Sequence, residues 1–310
     1  MPSTEGERAD AGRGERLLEL VRWQVSLGPR CPGSQGHQLL EREILARLER
    51  HADAVLRQPF ELPLPSGPAR FCNLVGVFRA QHGRQPGGRG YGGAQQCGPQ
   101  GALLVGTHYD TRLRADRESD PDRVEEPIPG ANDGGSGTAI LLDLLPLLQA
   151  SPRDRDLQVA FFDAEDVGQI GGLPFSCGAR HFVRQPPVAL PSEVLVLDMV
   201  GGKGLQLDLE AYCLSHGPSR RLTQRLFQIG RDLGFPPFAT LFDDKLHRKK
   251  LRAIICDHLP FLQHGIACCL LIDLDYPPWH TQADLPAAMA AGSLAMCSEV
   301  VERYLSGSRS

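Results

Sequence analysis

Three acids within four positions, Asp163, Glu165 and Asp166, follow directly on the apolar run Val159-Ala160-Phe161-Phe162. Such a run suits a strand buried on both faces of a parallel sheet. Carboxylates just past it sit at the C-terminal edge, where open α/β sheets place their ligands. Glu165 and Asp166 are neighbours, so their side chains diverge. One can hold a metal while the other stays free to carry a proton. A solvated acidic turn would look the same in isolation, so the other strand ends have to decide.

They repeat the pattern. Ala102-Leu103-Leu104-Val105-Gly106 runs into Thr107-His108-Tyr109-Asp110, and Val194-Leu195-Val196-Leu197 ends in Asp198. Cys268-Cys269-Leu270-Leu271-Ile272 leads to the loop Pro277-Pro278-Trp279-His280-Thr281. Asp133 lies in the glycine-rich stretch Gly130-Ala131-Asn132-Asp133-Gly134-Gly135, just before an apolar helix expected over 138–148. Parallel strands share one C-terminal edge, so these scattered side chains can converge. Imidazole with carboxylate suits zinc, whereas an all-oxygen set would suit magnesium or calcium. Asp110, two residues past His108 on the same face, is placed to accept the imidazole's other N–H.

The elements that must position them alternate between strand and helix. Further helices are expected around 17–25, 36–50, 176–183, 219–233, 257–264 and 286–304, and further strands over 55–62 and 73–78. This alternation predicts an α/β protein, a single-domain three-layer αβα fold with a mostly parallel central sheet. It spans residues 15–310 behind a disordered N-terminal tail over 1–14. The glycine-rich segment 81–101 reads as a surface loop without nucleotide-binding context. His247-Arg248-Lys249-Lys250 with Arg252 reads as a solvated basic loop, and Arg180 is placed to pair with one of the carboxylates.

Composition excludes several classes. The 310 residues are 41% hydrophobic and 23% charged, with a net charge of −4, which argues against nucleic acid or an anionic membrane as partner. No run approaches the roughly 18 apolar residues of a membrane span, and the polar first residues carry no secretory signal. Nine cysteines, an odd count without a C-x-x-C pair, point to a reduced, cytoplasmic setting.

Taken in order, Thr107-His108-Tyr109-Asp110, Gly130 to Gly137, Phe161-Phe162-Asp163-Ala164-Glu165-Asp166, Leu197-Asp198-Met199-Val200-Gly201 and Trp279-His280-Thr281 resemble the zinc aminopeptidases of the M28 clan. Within it, Cys31-Pro32-Gly33-Ser34, Asp257-His258-Leu259-Pro260-Phe261-Leu262 and Tyr276-Pro277-Pro278-Trp279-His280-Thr281 resemble the glutaminyl-peptide cyclotransferases of animals and their bacterial relatives. The cyclase resemblance implies one zinc on Asp133, Asp166 and His280, with Glu165 as general acid/base. Asp198 and Asp257 are then the carboxylates around it, and Trp279 and Phe175 line the substrate pocket. The substrate would be the N-terminus of a peptide or protein. The aminopeptidase resemblance implies a second zinc on His108, Asp133 and Asp198, with Glu165 activating water. The Asp257-His258-Leu259-Pro260-Phe261 match favours the cyclase. Retention of Glu165 argues against a third alternative, a non-catalytic zinc domain, because a structural zinc needs no free base. Two departures stand out: Phe175 occupies the place of a tryptophan in bacterial cyclases, and Asp166 replaces the glutamate of the animal enzymes.

Overall fold

A computed structural model of the chain describes residues 4–81 and 101–307, with side chains from residue 12 onward. The glycine-rich 81–101 segment lies outside the described residues except at its ends. In chain order the elements are α1 (Thr4–Ser26), α2 (Gln35–His51), β1 (Ala54–Leu64), β2 (Gly67–Phe78), β3 (Leu103–His108), α3 (Gly135–Ala150), β4 (Leu157–Phe162) and α4 (Cys177–Arg184). They continue with β5 (Glu193–Leu197), β6 (Leu209–Glu210), α5 (Ala211–Ser215), α6 (Gly217–Asp232), α7 (Asp244–Lys250), β7 (Leu251–Arg252), α8 (His258–Gln263), β8 (Ala267–Leu271) and α9 (Ala291–Leu305).

The main sheet has the order β1-β2-β4-β3-β5-β8. Strands β4, β3, β5 and β8 run parallel, and the β1–β2 hairpin joins antiparallel at one edge. Alternation along each central strand divides the core. Leu103, Val105, Val159, Phe161, Leu195 and Leu197 face a cluster built with α1, α2, α3, α6 and α9. Leu104, Ala160, Phe162, Val194 and Val196 face a second cluster with Phe182 of α4 and Phe261 of α8. The expected three layers result, because a strand buried on both sides needs a helical cover on each.

Register brings the chemistry to one edge. His108 pairs with Phe162, and Leu197 with Leu271. The residues that follow β3, β4, β5 and β8 therefore emerge together.

Several expectations need correction. Helix α1 begins at Thr4, within the stretch read as a tail; Arg13 pairs with Glu302, and Gly14 packs on Ala291 of α9. The hairpin strands extend beyond 55–62 and 73–78, because Pro59 and Pro63 stand on the sheet's edge strand, where a missing N–H costs little. Helix α9 starts at Ala291, five residues after Pro286, which opens a separate 3₁₀ turn. Arg180 donates to the Phe175 carbonyl oxygen (3.0 Å) rather than to a carboxylate.

The basic cluster is the largest departure. It forms α7, and Lys250 is fully buried among acids, its Nζ 3.0 Å from Asp275, 3.2 Å from Asp273 and 3.7 Å from Asp208. Asp273 and Asp275 begin the segment that carries Trp279 and His280, so this network anchors that loop. Removing one member of a buried ion cluster leaves the others uncompensated. Lys250→Met should therefore cost about 3–5 kcal/mol of unfolding free energy in a denaturant titration. A loss under about 1 kcal/mol, the worth of a surface pair, would show the network to be dispensable.

Candidate active site and metal centre

The turn after β4 is forced into an unusual shape. Ala164 adopts a left-handed backbone (φ 57°), as do Met199 (48°) after Asp198 and His280 (58°) itself. Such conformations in non-glycine residues cost of order 1–3 kcal/mol and gather where the surroundings impose them. Here Asp110 does so, its two carboxylate oxygens accepting the N–H groups of Glu165 and Asp166, each at 3.1 Å. Asp110 also stands 3.5 Å from Nδ1 of His108, the contact expected from the sequence, but its main work is to hold the acidic turn.

Asp133 is held similarly. Asp284 accepts the N–H groups of Asn132 (2.9 Å) and Asp133 (3.1 Å) and the hydroxyl of Tyr276 (2.8 Å). Buried Arg30 donates to the carbonyl oxygens of Pro129 (2.9 Å) and Gly130 from the other side. Gly134 turns with φ 75° into α3, where a Cβ would lie 2.4 Å from the Asp110 carbonyl oxygen. Only glycine fits both demands.

These supports bring together three overlapping sets that could hold a metal, the two expected from the sequence and a third of His108, Glu165 and Asp166. Asp133, Asp166 and His280 converge, with His280 Nε2 at 3.6 Å from Asp133 and 3.3 Å from Asp166. His108, Asp133 and Asp198 form the second set, with His108 Nε2 at 3.3 Å from each carboxylate. A divalent metal fits the first trio on structural grounds. Buried Oδ2 atoms of Asp133 and Asp166 have no hydrogen-bond donor among the described residues. Nδ1 of His280 is bonded to Asp116 at 2.9 Å, which leaves Nε2 as the free donor. Electrostatics point the same way. Burial, then the charge of Asp166, raises Asp133 to about 7. Burial pulls His280 down, but Asp166 and Asp116 outweigh it and raise it to about 9. The cluster calls for positive charge.

Glu165 lies beside this trio, buried and accepting the Ser176 hydroxyl at 3.0 Å. Burial holds it well above the usual carboxylate range, with Asp257, Asp166 and Asp198 pushing the same way and His108 opposing. Asp257 is fully buried at the N-cap position of α8, but its side chain makes no cap bond, and neither of its oxygens makes a well-formed hydrogen bond among the described residues. Burial, with Asp110 and Asp198, raises it to about 8. Asp198 accepts a hydrogen bond from the Cys256 thiol at 3.3 Å. A deep acid with a raised pKa next to a trio that fits a divalent metal can take up and return a proton near neutral pH.

Two aromatic side chains stand by. Trp279 is half-buried, tilted against His280 at 4.6 Å, with the Arg117 guanidinium 4.0 Å above its ring. Phe175 is half-buried over Gly168, where any Cβ would strike its ring, and lies 5.4 Å from the Arg112 guanidinium. The sequence reading missed the supports Asp116, Arg112, Asp284 and Ser176. Arg112 links the halves of the trio, donating to the Asp166 carbonyl oxygen at 2.9 Å and to the carboxylate of Asp116. These residues sit in loops without periodicity, so no local signal marks them. A surface depression of about 1880 Å³ lies at the opposite edge around Leu103, Glu193 and Tyr304, away from these residues.

Residues 91–305 match peptidase family M28, and the chain belongs to that family. A glutaminyl-peptide cyclotransferase of Bos taurus is 26% identical over 84% of this chain and 74% of its own length. The solved structure of Porphyromonas gingivalis glutaminyl cyclase superposes with a TM-score of 0.78 at 26% identity, covering 96% of this chain and 98% of that one. A Zn-dependent exopeptidase from Parabacteroides distasonis shares the fold, with a TM-score of 0.77 at 24% identity over 94% of this chain and 97% of that one. No helix among the described residues is long and apolar enough to cross a membrane.

Proposed function

We propose that the protein is a zinc-dependent glutaminyl-peptide cyclotransferase, converting an N-terminal glutamine to pyroglutamate with release of ammonia. Asp133, Asp166 and His280 would hold the metal. Bound there, zinc supplies Lewis-acid polarisation of the γ-carboxamide carbonyl. Glu165 accepts a proton from the attacking α-amine and delivers it to the departing nitrogen. The new C–N bond closes the ring, the old one breaks, and ammonia carries the proton away. Attack is intramolecular, so holding the glutamine folded supplies much of the rate. Trp279 and Phe175 would wall the space around that side chain. The cytoplasmic placement rests on the scattered, odd-numbered cysteines.

The observation that supports this reading is Asp257, a fully buried carboxyl within the group of acids that raises Glu165, with no well-formed hydrogen bond to its oxygens among the described residues. A two-metal peptidase would use Asp133, Asp166, His280, His108 and Asp198 as ligands and Glu165 as base, leaving Asp257 without a task. The aminopeptidase remains the second reading because His108 stands 3.3 Å from both Asp133 and Asp198.

A Gln-initiated peptide separates the two. The wild-type protein should release ammonia and no free glutamine; free glutamine without ammonia would make it an aminopeptidase. In the same assay Asp257→Ala should lose about 10²-fold in turnover. Its acid limb should move to lower pH, since removing a neighbouring negative charge lowers the pKa of Glu165. His108→Ala should keep its metal content and lose activity only moderately. A His108→Ala protein stripped of metal and activity, beside an Asp257→Ala protein that is merely less stable, would overturn the cyclase assignment.

A further inference from the structure

A separate constellation lies on the far side of Asp257. Glu210 ends β6, Cys213 lies in the first turn of α5, and His258 opens α8; all three are buried, at 3%, 1% and 0% exposure. One donor atom from each lies within 4.8 Å of the others. Nε2 of His258 is 3.5 Å from a Glu210 oxygen, and neither ring nitrogen makes a hydrogen bond among the described residues. Glu210 accepts the N–H groups of Cys213 (2.6 Å) and Ile254 (3.2 Å), so its carboxylate is fixed in place and keeps lone pairs that face the imidazole. Cys268 packs against the same turn, its Sγ 3.5 Å from the His258 carbonyl oxygen.

A buried imidazole whose ring nitrogens make no hydrogen bond among the described residues, and which has only a long 3.5 Å approach to an anchored carboxylate beside a thiol, is costly unless something joins them. We infer that Glu210, Cys213 and His258 form a second, buried metal site for a borderline-soft divalent ion such as zinc, distinct from the acidic trio. Sulfur and nitrogen donors exclude magnesium and calcium as natural occupants. On uptake the Cys213 S–H bond breaks, its proton passes to solvent, and the thiolate binds the ion. The donors come from three elements, so the ion would pin β6 and α5 to the start of α8, where Asp257 sits. Complete burial of the three donors means that the ion enters during folding and is slow to leave.

Sulfur provides the test, since the trio of Asp133, Asp166 and His280 contains none. X-ray absorption of the full-length protein as purified should show a zinc–sulfur shell at about 2.3 Å. Protein produced in cobalt-supplemented medium should show a near-ultraviolet sulfur-to-cobalt charge-transfer band. Asp166→Ala, which removes the other ion, should retain that sulfur signature. Cys213→Ser should lose it together with one metal per chain, and Glu210→Gln should weaken retention against a chelator. Absence of the sulfur shell and the cobalt band in the wild-type protein would overturn the proposal and leave Glu210 and His258 as a metal-free polar pair. So would a band that survives Cys213→Ser. The wild-type spectra decide even if that variant does not fold.

Discussion

Glu165→Gln should lose at least about 10²-fold in turnover of a Gln-initiated peptide while keeping its metal and its melting temperature. The change keeps the shape of the side chain and its capacity to accept the Ser176 hydroxyl, now at 3.0 Å from Oε1. It removes only the group that can gain and release a proton. Because Glu165 is buried beside Asp257, Asp166 and Asp198, its charged form is disfavoured, and an uncharged amide should be tolerated or even slightly stabilising. Activity and stability are therefore expected to move independently. Steady-state kinetics, elemental analysis and thermal unfolding of the one variant suffice; retention of most activity would remove Glu165 from the proton-transfer role.

The second large effect belongs to the metal trio. Asp166→Ala and His280→Ala should each lose one metal per chain on dialysis, and with it all measurable turnover, because each contributes one of three donors at the same point. Asp116→Asn should act through His280. The carboxylate that fixes Nδ1 at 2.9 Å becomes a neutral amide, and losses of that kind typically weaken metal affinity by 10–100-fold. The graded outcome matters more than any single number: loss in the two ligand variants, weakened retention in Asp116→Asn, no change in His108→Ala. Full metal retention in His280→Ala would mean that the ion sits elsewhere, and the assigned trio would fall.

Much of this is legible in the amino-acid sequence. Short apolar runs at 102–106, 159–162, 194–197 and 268–272 mark strands buried on both faces, and a parallel sheet aligns their ends without further information. That His108, Glu165, Asp166 and Asp198 share one edge follows from that, as does the three-layer arrangement, whereas Asp133 and His280 stand in loops whose approach to that edge the strand pattern only permits. What the linear pattern does not carry is the pairing of loop residues far apart in the chain. Asp116 reaches His280 across 164 positions, and Asp284 reaches Asn132 and Asp133 across 152 and 151. Neither contact leaves a periodic trace. The same holds for Lys250, which composition places on a solvated surface and the fold places among three aspartates. Periodicity reports which face of an element is buried. Which charge meets which inside the fold is decided by how the elements pack, and only the tertiary structure gives Lys250 its acids, His280 its orientation and His258 its place beside Glu210 and Cys213.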